Sequence, residues 1–226
     1  MSDIVRVSED GEQILYSKLF DNNVGDYYIW TEGEEELKVI DGVNYTKENQ
    51  YAVSDDFENI VYISNFDENK NGGTLYRCEY KEDSVTEPEK ISEDVYTCYV
   101  LENGNIVYNK NYNNKRKAAE LYVYNGVENE IESEIHPEFL AVDGKDIICL
   151  CDNNNKSCGN LYVKNDDLEK IKITTDVYDF HVKKNGAITV EREKNSKTGK
   201  FDLYETDDDK ENITLIQKDV DGILKY

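Results

Sequence analysis

Proline is nearly absent from this chain of 226 residues, which has 2 of them, 1 Trp, 1 Met and 2 His. With so few prolines, and glycine placed mostly at turns, little in the sequence interrupts extended strands. Arginine is scarce too, at 4 of the 26 basic residues, so the planar fork that suits phosphate is rare. The formal net charge of −23 repels phosphate backbones and anionic lipid heads, which argues against nucleic acid as a partner. No apolar run approaches the ~18 residues that span a bilayer, and the opening MSDIVRVSEDGEQ has no signal-peptide core. The expectation is a cytoplasmic chain without direct membrane insertion, or a soluble piece of a longer, membrane-anchored chain outside the cytoplasm. The 5 Cys are odd in number and lack the spacing of a disulfide framework, which suits a reducing compartment. A Gly-x-Ser-x-Gly elbow, a His-Glu-x-x-His pair, a phosphate loop and a dinucleotide fingerprint are all missing, which weakens hydrolase and nucleotide-binding readings.

What the chain does have is tyrosine, 18 in all, and a repeat. VSEDGEQILY from Val7, VSDDFENIVY from Val53, VLENGNIVY from Val100, VDGKDIICL from Val142 and VKKNGAITV from Val182 follow one another at spacings of 46, 47, 42 and 40 residues. A second anchor, Tyr28, Tyr76, Tyr122, Tyr162 and Tyr204, keeps nearly the same period, and four of the five tyrosines follow Leu. Between the anchors, Asn-Gly, Asp-Gly and Asp-Asp turns separate runs rich in Val, Ile and Tyr, the pattern of hairpins joined by short turns. The second repeat reads as four strands near 50–54, 59–65, 74–80 and 88–94. KRKAAELY at 115–122 has helical propensity, but the repeat places it at a loop-to-strand transition.

Four antiparallel strands in each ~40–50 residues are the signature of β-propeller blades. The expected fold is therefore an all-β, single-domain propeller of four-stranded antiparallel blades at about 3–43, 44–95, 96–135, 136–177 and 178–220. Five blades are expected, with six blades or an incomplete ring as alternatives, and 221–226 as an extra strand or latch. SEDGEQILYSKLFDNNVGDYYIW, SDDFENIVYISNFDENKNGGTLYRC and three weaker copies resemble the repeat of TolB-like propellers and related WD-type repeats, typically Ser-Pro-Asp-Gly, a strand, a polar loop, then Asp-Leu-Tyr. They are also similar to Tyr- and Asn-rich propeller domains of Gram-positive bacterial proteins. The proline of that turn is absent from every copy. The resemblance implies interaction with another protein or a small ligand and supplies no catalytic residues.

Residue by residue, chemistry is sparse. Cys149 and Cys151 lie two apart on a predicted strand with Cys158 in the next loop, which is either a thiolate metal site or buried apolar sulfur. His136 and His181 fall near innermost strands, where a channel-lining pair would bind metal or move protons; the alternative is a structural or solvated role. Glu138 and Asp179 are the carboxylates best placed for a carbohydrate-processing enzyme. FDENKNGG at 66–73 sets Asp67, Asn69 and Asn71 before Gly72 like the opening of an EF-hand loop, but Cys78 stands where the bidentate Glu belongs and Glu79 comes one residue late. An Asn-rich hairpin turn explains the same spacing. No cofactor is expected, with calcium at this loop as the exception considered.

Charge is more informative than any motif. The five loops between second and third strands (20–26, 65–73, 109–119, 152–160, 191–200) sum to +3, whereas the connections between third and fourth strands (32–38, 82–90, 125–134, 165–170, 205–211) sum to −16. The loop at 109–119 alone carries +4. The expected function is a noncatalytic binding or interaction module, most simply protein-protein, with Lys110, Lys115, Arg116, Lys117, Lys156 and Lys197 as candidate contacts. A carbohydrate-processing enzyme and a ligand-sensing or display domain are the alternatives.

Overall fold

The computed structural model describes residues 2–8, 10–19, 24–44, 50–54, 56–81, 84–151 and 158–222, and these form strands and turns without a helix. None of them offers a helix long and apolar enough to cross a membrane. The chain divides into two compact units, Met1–Tyr112 with Glu120–Glu130, and Asn113–Ala119 with Ile131–Tyr226.

The first unit opens with a sheet of β1 (Ser2–Val7), β2 (Gln13–Leu19), β3 (Val24–Thr31) and β4 (Leu37–Asn44), paired in chain order. The second sheet uses β5 (Tyr51–Val53), β6 (Asn59–Asp67), β7 (Gly72–Lys81) and the first half of β9 (Glu89–Val100), with the two-residue β8 (Ser84–Val85) against β7. The strands expected in this repeat are there, within a few residues at each end. The second half of β9 starts a third sheet with β10 (Ile106–Asn113), β11 (Ala118–Tyr124) and β12 (Glu128–Asp143). A turn at 114–117 leads into β11, so KRKAAELY is the loop-to-strand transition that the repeat required.

In the second unit, the later part of β12 pairs with β13 (Asp146–Cys151), followed by β14 (Gly159–Lys164) and β15 (Lys170–Val177). The last sheet is β16 (Asp179–Val182), β17 (Ile188–Arg192), β18 (Phe201–Thr206) and β19 (Ile213–Val220). Residues 223–226 of the expected latch lie outside the described residues.

Local chemistry sets these elements. Ser8 Oγ accepts from the Gln13 N–H at 2.9 Å and Asp10 accepts from the Glu12 N–H at 3.0 Å, closing the β1–β2 turn. Ser54 and Asp56 repeat that arrangement with Asn59 and Glu58, both at 2.9 Å. Gly11 takes the left-handed conformation of this turn at φ 79°. Its counterpart Phe57 does so at φ 61° and is fully buried, so the core holds a bulky residue where glycine would be easier. Two passages from an outer strand to the next inner strand use a left-handed residue, Asp94 (φ 57°) and Asp176 (φ 57°), a residue type that tolerates it.

Strand alternation gives the sheets apolar faces that pack on one another within each unit. In the first unit Leu15, Tyr27 and Ile29 pack in one cluster with Ile60, Tyr62, Cys78 and Tyr80. In the second, Ile148, Leu161 and Val163 pack with Ile188, Val190 and Tyr204. Within each unit, then, one sheet lays a face on the sheet that follows: the first on the second, and the fourth on the last.

Candidate functional site

The tyrosine anchors pair across strands two and three. Tyr16 stacks on Tyr28 at 5.7 Å, Tyr62 on Tyr76 at 5.6 Å and Tyr108 on Tyr122 at 5.7 Å between ring centroids. In two of these sheets a lysine and a glutamate complete the cluster. Lys110 lies over the Tyr122 ring at 4.3 Å and donates to Glu128 at 2.7 Å, which also accepts from Tyr108 Oη at 2.6 Å and Ser92 Oγ at 2.7 Å. Lys18 lies over Tyr28 at 4.1 Å and pairs with Glu36, which also accepts from Tyr16. Burial pushes the Glu128 carboxyl up, but the three donors together outweigh it and hold it at about 2. Lys110, a candidate contact by sequence, is thus engaged within its own sheet.

The next three candidates form the turn after β10. Lys115, Arg116 and Lys117 are all exposed, and Lys117 adopts φ 54°. Asn113 Oδ1 accepts the backbone N–H groups of Lys115 and Arg116, both at 3.1 Å, and so shapes the turn. Arg116 pairs with Glu134 at 2.8 Å, with both side chains over 60% exposed, a surface contact worth little. Among the described residues no carboxylate pairs with Lys115 or Lys117. His136, on the neighbouring stretch of β12, is buried and packs edge-on against Phe139 at 4.7 Å. Burial lowers its pKa, Glu138 opposes this, and Lys117 adds to it, so the turn and the β12 residues share one electrostatic environment.

The remaining sequence candidates are dispersed. Lys197 is exposed in the turn after β17, its N–H bonded to Asn195 Oδ1 at 2.9 Å, and Lys156 lies outside the described residues. Cys149 and Cys151 share a face with sulfurs 3.6 Å apart, whereas Cys158 is hydrogen-bonded to Tyr178. The contact with Cys149 and burial raise the Cys151 thiol pKa, which suits inert core sulfur. Glu138 is exposed on β12, and Asp179 on β16 accepts from the Phe180 N–H at 2.8 Å. His181 stands opposite Thr189. In the FDENKNGG turn, Asp67 accepts from the Asn69 N–H at 2.9 Å, and Asn71 takes φ 53°. Among the described residues no three His, Cys, Asp or Glu side chains gather as a metal-binding group.

The second unit also contains a cleft of about 570 Å³ that the sequence did not point to. Val163, Ile171 and Ile173 line it, with Asp208, Asp209 and Glu211 at its charged side. Lys210 is fixed there by Asp146 at 2.9 Å and Asp143 at 3.5 Å.

No protein-family profile matches the chain, and no curated protein matches it in sequence. Solved structures do match. The propeller domain of the Trilobed protease from Pyrococcus furiosus, described as having an open velcro topology, aligns with 96% of this chain and 71% of its own at a TM-score of 0.62 and 17% identity. The fold is a β-propeller. TolB from Acinetobacter baumannii aligns over 96% of this chain at a TM-score of 0.53 and 12% identity. Dipeptidyl peptidase 4 from Porphyromonas gingivalis aligns over 94% at 0.63 and 12%. The chain spans 55% of the TolB chain and 38% of the peptidase chain. At these identities the likeness to a TolB-like propeller is one of fold.

Proposed function

We propose that this propeller is a noncatalytic interaction module that docks an acidic segment of a protein partner on the turn carrying Lys115, Arg116 and Lys117. The observation that carries this reading is three adjacent exposed cations, two without a carboxylate partner among the described residues, on a chain of net charge −23. Such a local reversal of sign steers an acidic partner to one place and orients it there. Photo-cross-linking from Asn114 in cells that make the protein tests it. Adducts with an acidic partner that vanish in the Lys115→Glu, Arg116→Glu, Lys117→Glu variant are expected. Adducts unchanged by the charge reversal would contradict it.

The cleft beside Ile171 favours a second reading, a ligand-sensing domain. Its volume falls within the range of small-molecule sites and it combines an apolar floor with a few charged groups. Blocking it with Ile173→Trp separates the two readings, since cross-linking at the turn would be unaffected.

A further inference from the structure

We propose that the cleft of the second unit binds an organic cation, an ammonium or guanidinium group carried on an apolar body, with the body laid on Val163, Ile171 and Ile173 and the charge presented to Asp209 and Glu211. This rests on the ligand-sensing reading of the cleft and names the ligand class for it. Every residue that lines the cleft belongs to the second unit.

The floor follows from strand register. Val163 on β14 stands opposite Ile171 on β15, so the two side chains share a face. Val163 is buried and Ile173 packs against the core shared with the last sheet, while Ile171 is 47% exposed. The apolar surface therefore runs from the core out to solvent. Lys172 stands opposite Tyr162 on the alternate face, and its ammonium lies 5.9 Å from the centre of that ring. Its charge is thus directed away from the floor.

The rim is the turn between β18 and β19. Asp207 accepts the backbone N–H groups of Glu211 at 2.8 Å and Asn212 at 3.2 Å, and Lys210 takes φ 60°, which sets the course of the turn. Lys210 is its only cation and is already committed: the side chain is 12% exposed and pairs with Asp146 at 2.9 Å and Asp143 at 3.5 Å. Asp208 accepts from Asn185 Nδ2 at 2.7 Å. Asp209 and Glu211 are exposed and have no cation partner among the described residues. The charges that the cleft offers a ligand are therefore negative, and the connections at 165–170 and 205–211 beside it carry −2 and −4.

Floor and rim together select the ligand. A hydrated metal ion would meet the carboxylates and leave the isoleucines in water. A neutral apolar molecule would cover the isoleucines but draw water from the carboxylates with nothing to replace it, which is costly. An anion is repelled. A cation with an apolar body suits both parts, and about 570 Å³ is room for one of ordinary small-molecule size. Because the carboxylates are exposed, their share of the binding is modest and weakens with salt.

Methyl NMR of the protein labelled at isoleucine δ1 positions tests this with three ligands of one body: phenylbutylamine, phenylbutanol and phenylbutyrate. The amine is expected to shift the Ile171 and Ile173 signals saturably and to bind about tenfold more tightly than the alcohol, as two partly exposed ion pairs allow. The carboxylate should bind more weakly than either. In the Asp209→Asn, Glu211→Gln variant, whose changes are exposed and leave the floor intact, the amine should fall to the affinity of the alcohol. An alcohol that binds as tightly as the amine, or an amine indifferent to the double substitution, overturns the choice of a cation and leaves the ligand-sensing reading standing. Failure of all three to shift Ile171 and Ile173 overturns both. Calcium alone shifting these signals where the amine does not would make the rim an ion site and overturn the proposal as well.

Discussion

Glu128 shows how the tyrosines, lysines and glutamates of this chain are used. Its carboxylate joins Tyr108, Ser92 and Lys110, and its removal takes from the buried Tyr108 hydroxyl, the Ser92 hydroxyl and the Lys110 ammonium the acceptor they share. Glu128→Ala should cost about 1–3 kcal/mol at neutral pH, the penalty for orphaned buried polar groups, measured by urea unfolding. The pH dependence has a definite sign. The carboxyl is held at about 2 in the folded protein and sits near ~4.3 when unfolded. Its contribution is therefore complete above the unfolded value and is lost as pH falls between the two. The stability gap between wild type and Glu128→Gln should shrink over that window and stay constant from pH 5 to 8. This cluster was legible in principle: Tyr16 and Glu36, like Tyr108 and Glu128, stand 20 residues apart, with Lys18 and Lys110 each two residues beyond the tyrosine. Counting charge by loop hid it, because the count assigned Lys110 to the basic loop and Glu128 to the acidic connection although they form one pair.

At the scale of the strand and turn, the sequence was a good guide wherever a local pattern decides the backbone. Hairpin turns and alternating Ile, Val and Tyr identified the four strands of the second repeat, and two anchors of one period outweighed the helical propensity of KRKAAELY. The sequence was silent where a left-handed residue is held by tertiary packing, as at Phe57, or where distant elements converge, as in the cleft around Ile171. Asp94 makes a test of the hinge between outer and inner strands. Asp94→Gly should be neutral or slightly stabilising, whereas Asp94→Val should cost about 1–2 kcal/mol because a β-branched side chain opposes the left-handed conformation. Gly73 is constrained in a different way. A Cβ there would lie 2.6 Å from Ile63 Cγ2 and 2.7 Å from the Ser64 carbonyl oxygen. Gly73→Ala should lower the thermal midpoint of the first unit by several degrees, as overpacking does.

For the whole molecule, the array has an acidic bias that partly neutralises itself within sheets, and a basic turn in which Arg116 alone is paired among the described residues. Lys18 with Glu36, Lys110 with Glu128 and Lys170 with Glu132 consume charge across strands, while Lys115 and Lys117 have no carboxylate partner among the described residues. Function was less legible than fold because a propeller repeat specifies packing between sheets, whereas a docking site consists of the few side chains that packing leaves over. The most direct measurement is fluorescence anisotropy of a labelled Glu-rich peptide titrated with the protein at physiological salt, in parallel with the Lys115→Glu, Arg116→Glu, Lys117→Glu variant. Saturable binding is expected, weakened at least about tenfold by the substitutions, as three surface pairs near 0.5 kcal/mol each require, with the thermal midpoint unchanged. Binding of equal strength to both proteins, or to neither, would contradict the assignment of this turn as the docking site.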